Sequence, residues 1–136
     1  MNKVVRVTDP ETHDFDEIGD AGTQTITLAR RLSSSEFTQL DLLVRVHEAV
    51  TLVTDGSIVV NVVADGFTHD DPSVDFFGEV LASVTLSGAL TAGQFEIATA
   101  TSKLGSMVAV QIVATQPQTA GTLSSRLSMD LVFKSS

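Results

Sequence analysis

The sequence predicts an all-β domain of about eight short strands, arranged as a sandwich, a jelly roll or a barrel. Three observations predict it. First, residues 123–133 alternate with a period of two. Leu123, Ser125, Leu127, Met129, Leu131 and Phe133 fall on one side, and Ser124, Arg126, Ser128, Asp130 and Val132 on the other. A helix would scatter these residues around its axis, so the stretch is a long, half-buried strand that needs neighbours beside it and a layer beneath it. Second, further alternating runs recur along the chain, each bounded by turn chemistry. Third, no G-x-G-x-x-G, P-loop or βαβ pattern occurs, and no internal repeat, which excludes a nucleotide-binding α/β fold.

Taken in order, residues 3–7 form a β-prone run with Val5 and Val7 on one side, ended by Asp9-Pro10. Asp9, Glu11, Asp14, Asp16, Glu17 and Asp20 follow without a Lys or Arg. That acidic stretch is an exposed loop, or an arm that orders against a partner. The expected division is therefore residues 1–22 as N-terminal strand and acidic arm or loop, and residues 23–136 as the β-sandwich domain. Residues 23–28 alternate Thr with Ile26 and Leu28. Ser33-Ser34-Ser35-Glu36 fits a helix-capping box, or else a polar loop. Leu40, Leu42, Val44 and Val46 point one way, against Asp41, Arg45 and His47. Asp55-Gly56 is turn chemistry. Ile58, Val60, Val62 and Ala64 then share a face, with Val59 and Val63 opposite, as expected of a central or covered strand.

Residues 65–79 form the longest break, with five acids and no basic residue. Phe67, Phe76 and Phe77 lie among those acids and either tuck under the loop or anchor a partner. Val80, Ala82, Val84 and Leu86 alternate next, then residues 94–97, then Val108, Val110, Ile112 and Ala114. Pro117 ends that run and Gly121 precedes the final strand.

A chain of 136 residues fits one domain with a single core. The net charge of −9 argues against binding a phosphate backbone, which needs clustered Lys and Arg. There is no cysteine, and so no disulfide or thiolate metal site. No apolar run is long enough for a membrane span, and the first residues lead into Asp and Glu, not into an apolar signal core. Trp and Tyr are absent, which removes the usual stacking platforms for sugars and single-stranded nucleic acid.

Recognised catalytic constellations are missing. His13, His47 and His69 have no neighbour at metal-ligand spacing. Asp14, Asp16 and Gly19 match three positions of an EF-hand loop, but Ile18 and Thr25 stand where oxygen ligands belong. A calcium site of another kind in residues 65–75 rests on carboxylate density alone. No G-x-S-x-G elbow occurs. The expectation is a non-enzyme without a cofactor or metal.

From about Leu40 to Phe133 the order of features resembles the small jelly-roll decoration (cement) proteins of tailed-phage capsids. The resemblance rests on Leu42-Leu43-Val44-Arg45-Val46, Ala49-Val50-Thr51, Asp55-Gly56, Ser57-Ile58-Val59-Val60-Asn61-Val62-Val63, the acidic loop, Ala82-Ser83-Val84-Thr85-Leu86 and Gly93-Gln94-Phe95-Glu96-Ile97. It also includes the two closing strands joined by Thr119-Ala120-Gly121-Thr122. It implies an all-β, antiparallel jelly-roll-like β-sandwich of about eight strands with an N-terminal extended segment. It further implies a structural virion protein that binds the outside of an assembled head, bridges capsomers and resists internal pressure. The implied partners are the major capsid protein and further copies of the chain, as a homotrimer or another homo-oligomer, with neither nucleic acid nor membrane. The chain would be made in the host cytoplasm and end on the capsid exterior. Candidate partner contacts are Phe67, Phe76 and Phe77 of the acidic loop, and Asp14, Phe15 and Asp16 of the acidic arm. The alternatives are a head-completion or tail-associated subunit, or a carbohydrate-binding jelly roll, the last disfavoured by the missing Trp and Tyr.

Overall fold

The C-terminal alternation becomes β10 (Ser124–Lys134), and its apolar side closes the core. Leu127, Met129, Leu131 and Phe133, with Leu123 just before the strand, have no exposed surface. Burial of each such side chain contributes about 1.5–3 kcal/mol, as an upper bound. The computed structural model describes residues 2–16, 18, 22–65, 77–101, 104–116 and 121–135. Among these residues there are strands and turns and no helix.

Two four-stranded antiparallel sheets face each other. β10 lies between β1 (Asn2–Asp14) and β3 (Gln39–Val46), with β8 (Phe95–Ala100) outside β3. The second sheet runs β2 (Gly22–Ser33), β9 (Met107–Gln116), β5 (Ser57–Asp65) and β6 (Phe77–Leu86). First and last strands pair, and each sheet interleaves early with late strands, which is the order of a jelly roll. Two short elements, β4 (Val50–Thr51) and β7 (Ala89–Leu90), pair separately and bring the strands among the described residues to ten. Leu40, Leu42, Val44 and Val46 of β3 meet Ile58, Val60 and Val62 of β5 and Val108, Val110 and Ile112 of β9 in one buried cluster.

Several local expectations are corrected. Asp9-Pro10 does not end the first strand, and the pairing with β10 continues to Asp14. The register shifts twice between Arg6 and Glu11, so Pro10 holds no ladder position and its missing N–H costs nothing on an edge strand. Residues 9–14 of the acidic stretch are thus strand. β5 itself keeps the expected facing, since its unbroken pairing with β9 sets Val62 and Ala64 opposite Val110 and Val108. The irregularity lies in β6, where Ala82 and then Val80 stand opposite the successive residues Val62 and Val63. The same irregularity leaves Val80 exposed while Ala82, Val84 and Leu86 are buried. The capping-box sequence starts no helix. Its Ser34 is buried, donates its hydroxyl to the Gly105 carbonyl at 3.0 Å and accepts the Phe37 N–H at 3.0 Å, forming a turn.

Val53 is clasped by two glycines. A side chain at Gly56 would place its Cβ 2.5 Å from Val53 Cγ1, and one at Gly121 2.5 Å from Val53 Cγ2. The two pairs of sheet edges also differ. β1 and β2 meet on one side, with register shifts, Pro10, Arg30 and Arg31 along them. β6 and β8 meet on the other and hold no Lys, Arg or Pro.

Candidate functional site

Cross-strand partners share a face, so the register fixes which side chains point outward together. On the β1-β10-β3-β8 sheet the outward set includes Val4 and Arg6 of β1, Asp130 and Val132 of β10, Asp41, Leu43 and Arg45 of β3, and Phe95 and Ile97 of β8. Val4, Phe95 and Ile97 are 67%, 42% and 55% exposed. Val4 lies on one edge strand of this sheet, and Phe95 and Ile97 lie together on the other, where they form the apolar part of the face.

The charges on this face are mostly neutralised in pairs. Arg6 donates its Nε and Nη2 to the two oxygens of Asp130 at 2.6 and 3.3 Å, and reaches Asp9 at 3.5 Å. Lys134 Nζ lies 2.7 Å from Asp41. The Lys134 hydrogen bond holds the Asp41 carboxyl below its ordinary pKa against a small opposing effect of burial, with help from the Thr99 hydroxyl and Gln39.

Two guanidiniums stand apart from this pairing. Among the described residues no carboxylate lies within ion-pair distance of Arg45 or Arg126. Arg45 sits opposite Ser128 in the register, with its guanidinium carbon 5.0 Å above the Phe95 ring. The His47 N–H donates to the Arg126 carbonyl at 2.8 Å, which sets those two residues side by side. His47 Nε2 and the Ser128 hydroxyl share a hydrogen bond of 2.8 Å. Together Arg6, Leu43, Arg45, His47, Phe95, Ser128 and Asp130 line an open depression of about 440 Å³. It offers the Arg45 guanidinium, an imidazole and an aromatic wall, with the Arg6–Asp130 ion pair alongside and Arg126 next to His47 outside its lining, a set suited to holding a carboxylate on Arg45.

The opposite outer face, on the β2-β9-β5-β6 sheet, is chemically unlike it. Thr25, Val113, Val59 and Thr85 stand in one outward row, and Thr27, Gln111, Asn61 and Ser83 in the next. Neither row holds a charge. The uncharged strip ends at Asp65, whose side chain is 1% exposed and receives Arg30 Nη2 at 3.1 Å and the Arg31 N–H at 2.8 Å.

The residues singled out from sequence fall elsewhere. Phe67 and Phe76 lie outside the described residues. Phe77 opens β6 opposite Asp65. Phe15 is 2% exposed, so its ring belongs to the core and is not presented to a partner; an apolar ring at the end of β1 gains more by filling the sandwich than by facing water. Its N–H donates to the Leu123 carbonyl at 2.9 Å, while the Asp16 carboxylate accepts the Leu123 N–H. Asp14 accepts the Asp16 N–H at 2.9 Å and is exposed. The Asp14-Phe15-Asp16 segment therefore fastens the end of β1 to the start of β10. Beside it lies a depression of about 360 Å³ lined by Asp14, Phe15, Ile18 and Gln24. Among the described residues no three His, Asp or Glu side chains gather as a metal site. Sequence reasoning missed Arg45 and Arg126 as a pair. Each was visible on the polar side of its own strand, but their proximity needs the β3–β10 register.

No family model and no curated protein matches the sequence. Among solved structures, the chain is similar to one in the structure of infectious bursal disease virus Gx strain, with a TM-score of 0.50 and 15% identity over 98% of this chain and 31% of that one. A chain of the T13 IBDV viral particle gives a TM-score of 0.50 and 15% identity over 99% of this chain and 31% of that one. A chain of the disulfide-linked pili formed by Bacillus endospore appendages reaches a TM-score of 0.38 at 12% identity, over 100% of this chain and 92% of that one, a score that carries no argument. This chain spans 31% of the length of the two viral chains, and the likeness to them is one of fold: an all-β, antiparallel two-sheet sandwich.

Proposed function

We propose that this chain is a structural protein of a virus particle, one that decorates the outside of an assembled phage head and bridges neighbouring copies of the major capsid protein. The observation that carries the reading is the pair of unlike outer faces. One bears unneutralised arginines beside exposed Phe95 and Ile97, and the other bears uncharged Thr, Val, Asn and Gln. A molecule that joins two different surfaces needs two faces of different chemistry held a fixed distance apart, and a jelly roll supplies that separation through its packed core. The fold likeness to part of a chain in infectious bursal disease virus supports the same reading. A stable contact buries roughly 1,200–2,000 Å² in all, which a sheet face together with its flanking loops can supply.

Purified protein mixed with undecorated heads is expected to sediment with them at a saturating copy number and to raise their resistance to heat. Absence of saturable binding overturns the proposal. A micrograph placing the chain at a head vertex or on the tail assigns it instead to head completion or the tail.

A further inference from the structure

We propose that the cationic end of the β1-β10-β3-β8 face, built from Arg45, Arg126 and Phe95, docks an acidic segment of a partner protein through its aspartate or glutamate carboxylates. In naming the partner as a shell protein the inference rests on the preceding reading; the chemistry of the site does not.

The argument starts from charge. The chain carries −9, and on this face Asp130 and Asp41 are already taken by Arg6 and Lys134. Arg45 and Arg126 remain as cations with no carboxylate in reach among the described residues. The Arg45 guanidinium carbon lies 5.0 Å from the Phe95 centroid, a cation–π contact, and a guanidinium with no carboxylate partner can receive one through two parallel hydrogen bonds. The His47–Ser128 hydrogen bond sits between the two arginines and keeps the floor of the depression rigid. Exposed Ile97 beside Phe95 supplies apolar surface for a neighbouring side chain of the same segment. Arg and aromatic side chains flanked by apolar surface are the usual carriers of interface energy.

Charge complementarity also chooses between polyanions. A nucleic acid brings one phosphate per nucleotide across a wide footprint, and Asp130 in the depression and Asp9 on Arg6 repel it. A protein segment can place one or two carboxylates on the arginines and turn uncharged residues toward those acids.

The test uses an eight-residue peptide alternating Glu with Leu, its Gln counterpart, and a single-stranded oligonucleotide. Each is titrated into the full chain at low salt and followed by NMR. The net charge of −9 opposes an acidic peptide at long range, so generic attraction to the whole chain cannot mimic binding. The Glu peptide is expected to shift the resonances of Arg45, His47 and Phe95 and to bind about 10-fold more tightly than the Gln peptide. Arg45→Gln is expected to weaken it about 10-fold while leaving the melting temperature unchanged, because the side chain is exposed. Equal binding of the two peptides, indifference to Arg45→Gln, or tighter binding of the oligonucleotide at the same residues overturns the proposal. Head binding measured in parallel separates the two ideas. Heads that bind wild type and Arg45→Gln alike sink this site and leave decoration standing. A chain that binds the Glu peptide but no heads does the reverse.

Discussion

A carboxylate in place of Leu127 would meet neither water nor a cation, because the position has no exposed surface and faces Val46 across the β3–β10 pair. Leu127→Asp is therefore expected to give no soluble folded protein. Leu127→Ala should fold with a loss of about 2–5 kcal/mol in urea denaturation, the cost of the lost burial and the cavity. His13 provides a pH test. Burial holds its imidazole below the ordinary pKa, and the Glu11 carboxylate at 3.7 Å opposes that shift only in part. The folded state thus favours neutral His13, and the unfolded chain takes up the proton first as pH falls. Stability from this residue is complete above about pH 6.5 and declines as pH drops from there toward the depressed folded value. Urea midpoints are expected to be flat above neutrality and to fall across the mildly acidic range, with His13→Gln flattening that fall. An unchanged slope in the variant would place the titration elsewhere.

At the scale of elements, turns and irregular pairings separate what sequence patterning reveals from what it hides. Asp55 already adopts φ 61°, so Asp55→Gly should be neutral or stabilising by up to about 1 kcal/mol. Gly56→Ala, one position on, drives a methyl into Val53 and should cost about 1–3 kcal/mol, read as a lower thermal midpoint. The facing of β3 and of β10 was legible because every second residue is apolar from Leu40 to Val46 and from Leu127 to Phe133, although Leu43 and Val132 break the polar side. The facing of Val80 was not, since one extra residue of β6 inverts every side chain before Ala82 and leaves no trace in composition. Pro10 misled for a related reason: its cost depends on whether the strand lies at an edge, and edges belong to topology. Phe15 was drawn toward the surface by its acidic neighbours, although an aromatic ring answers to the space available beneath it. The Arg45–Arg126 patch needs two strands far apart in sequence to lie in one particular register, which alternation within each strand cannot supply.

For the whole molecule, charge and shape set behaviour in solution. With a net charge of −9 and a sequence pI near 4.5, copies repel one another at neutral pH. Light scattering is expected to be low at pH 7 and to peak near pH 4.5, and a peak at neutrality would point to association strong enough to override that repulsion. The unequal flanks of the sandwich carry a further consequence. On the β1 and β2 flank, irregular pairing and basic side chains leave an incoming ribbon without a continuous row of amide partners. The β6 and β8 flank holds no Pro, Lys or Arg, and β6 is regularly paired from Ala82 to Leu86, so an open row remains there. Two molecules zipped together along it would each consume the other's docking margin and expose only their barbed flanks. Growth by that route stops at a pair and does not run on into a fibril.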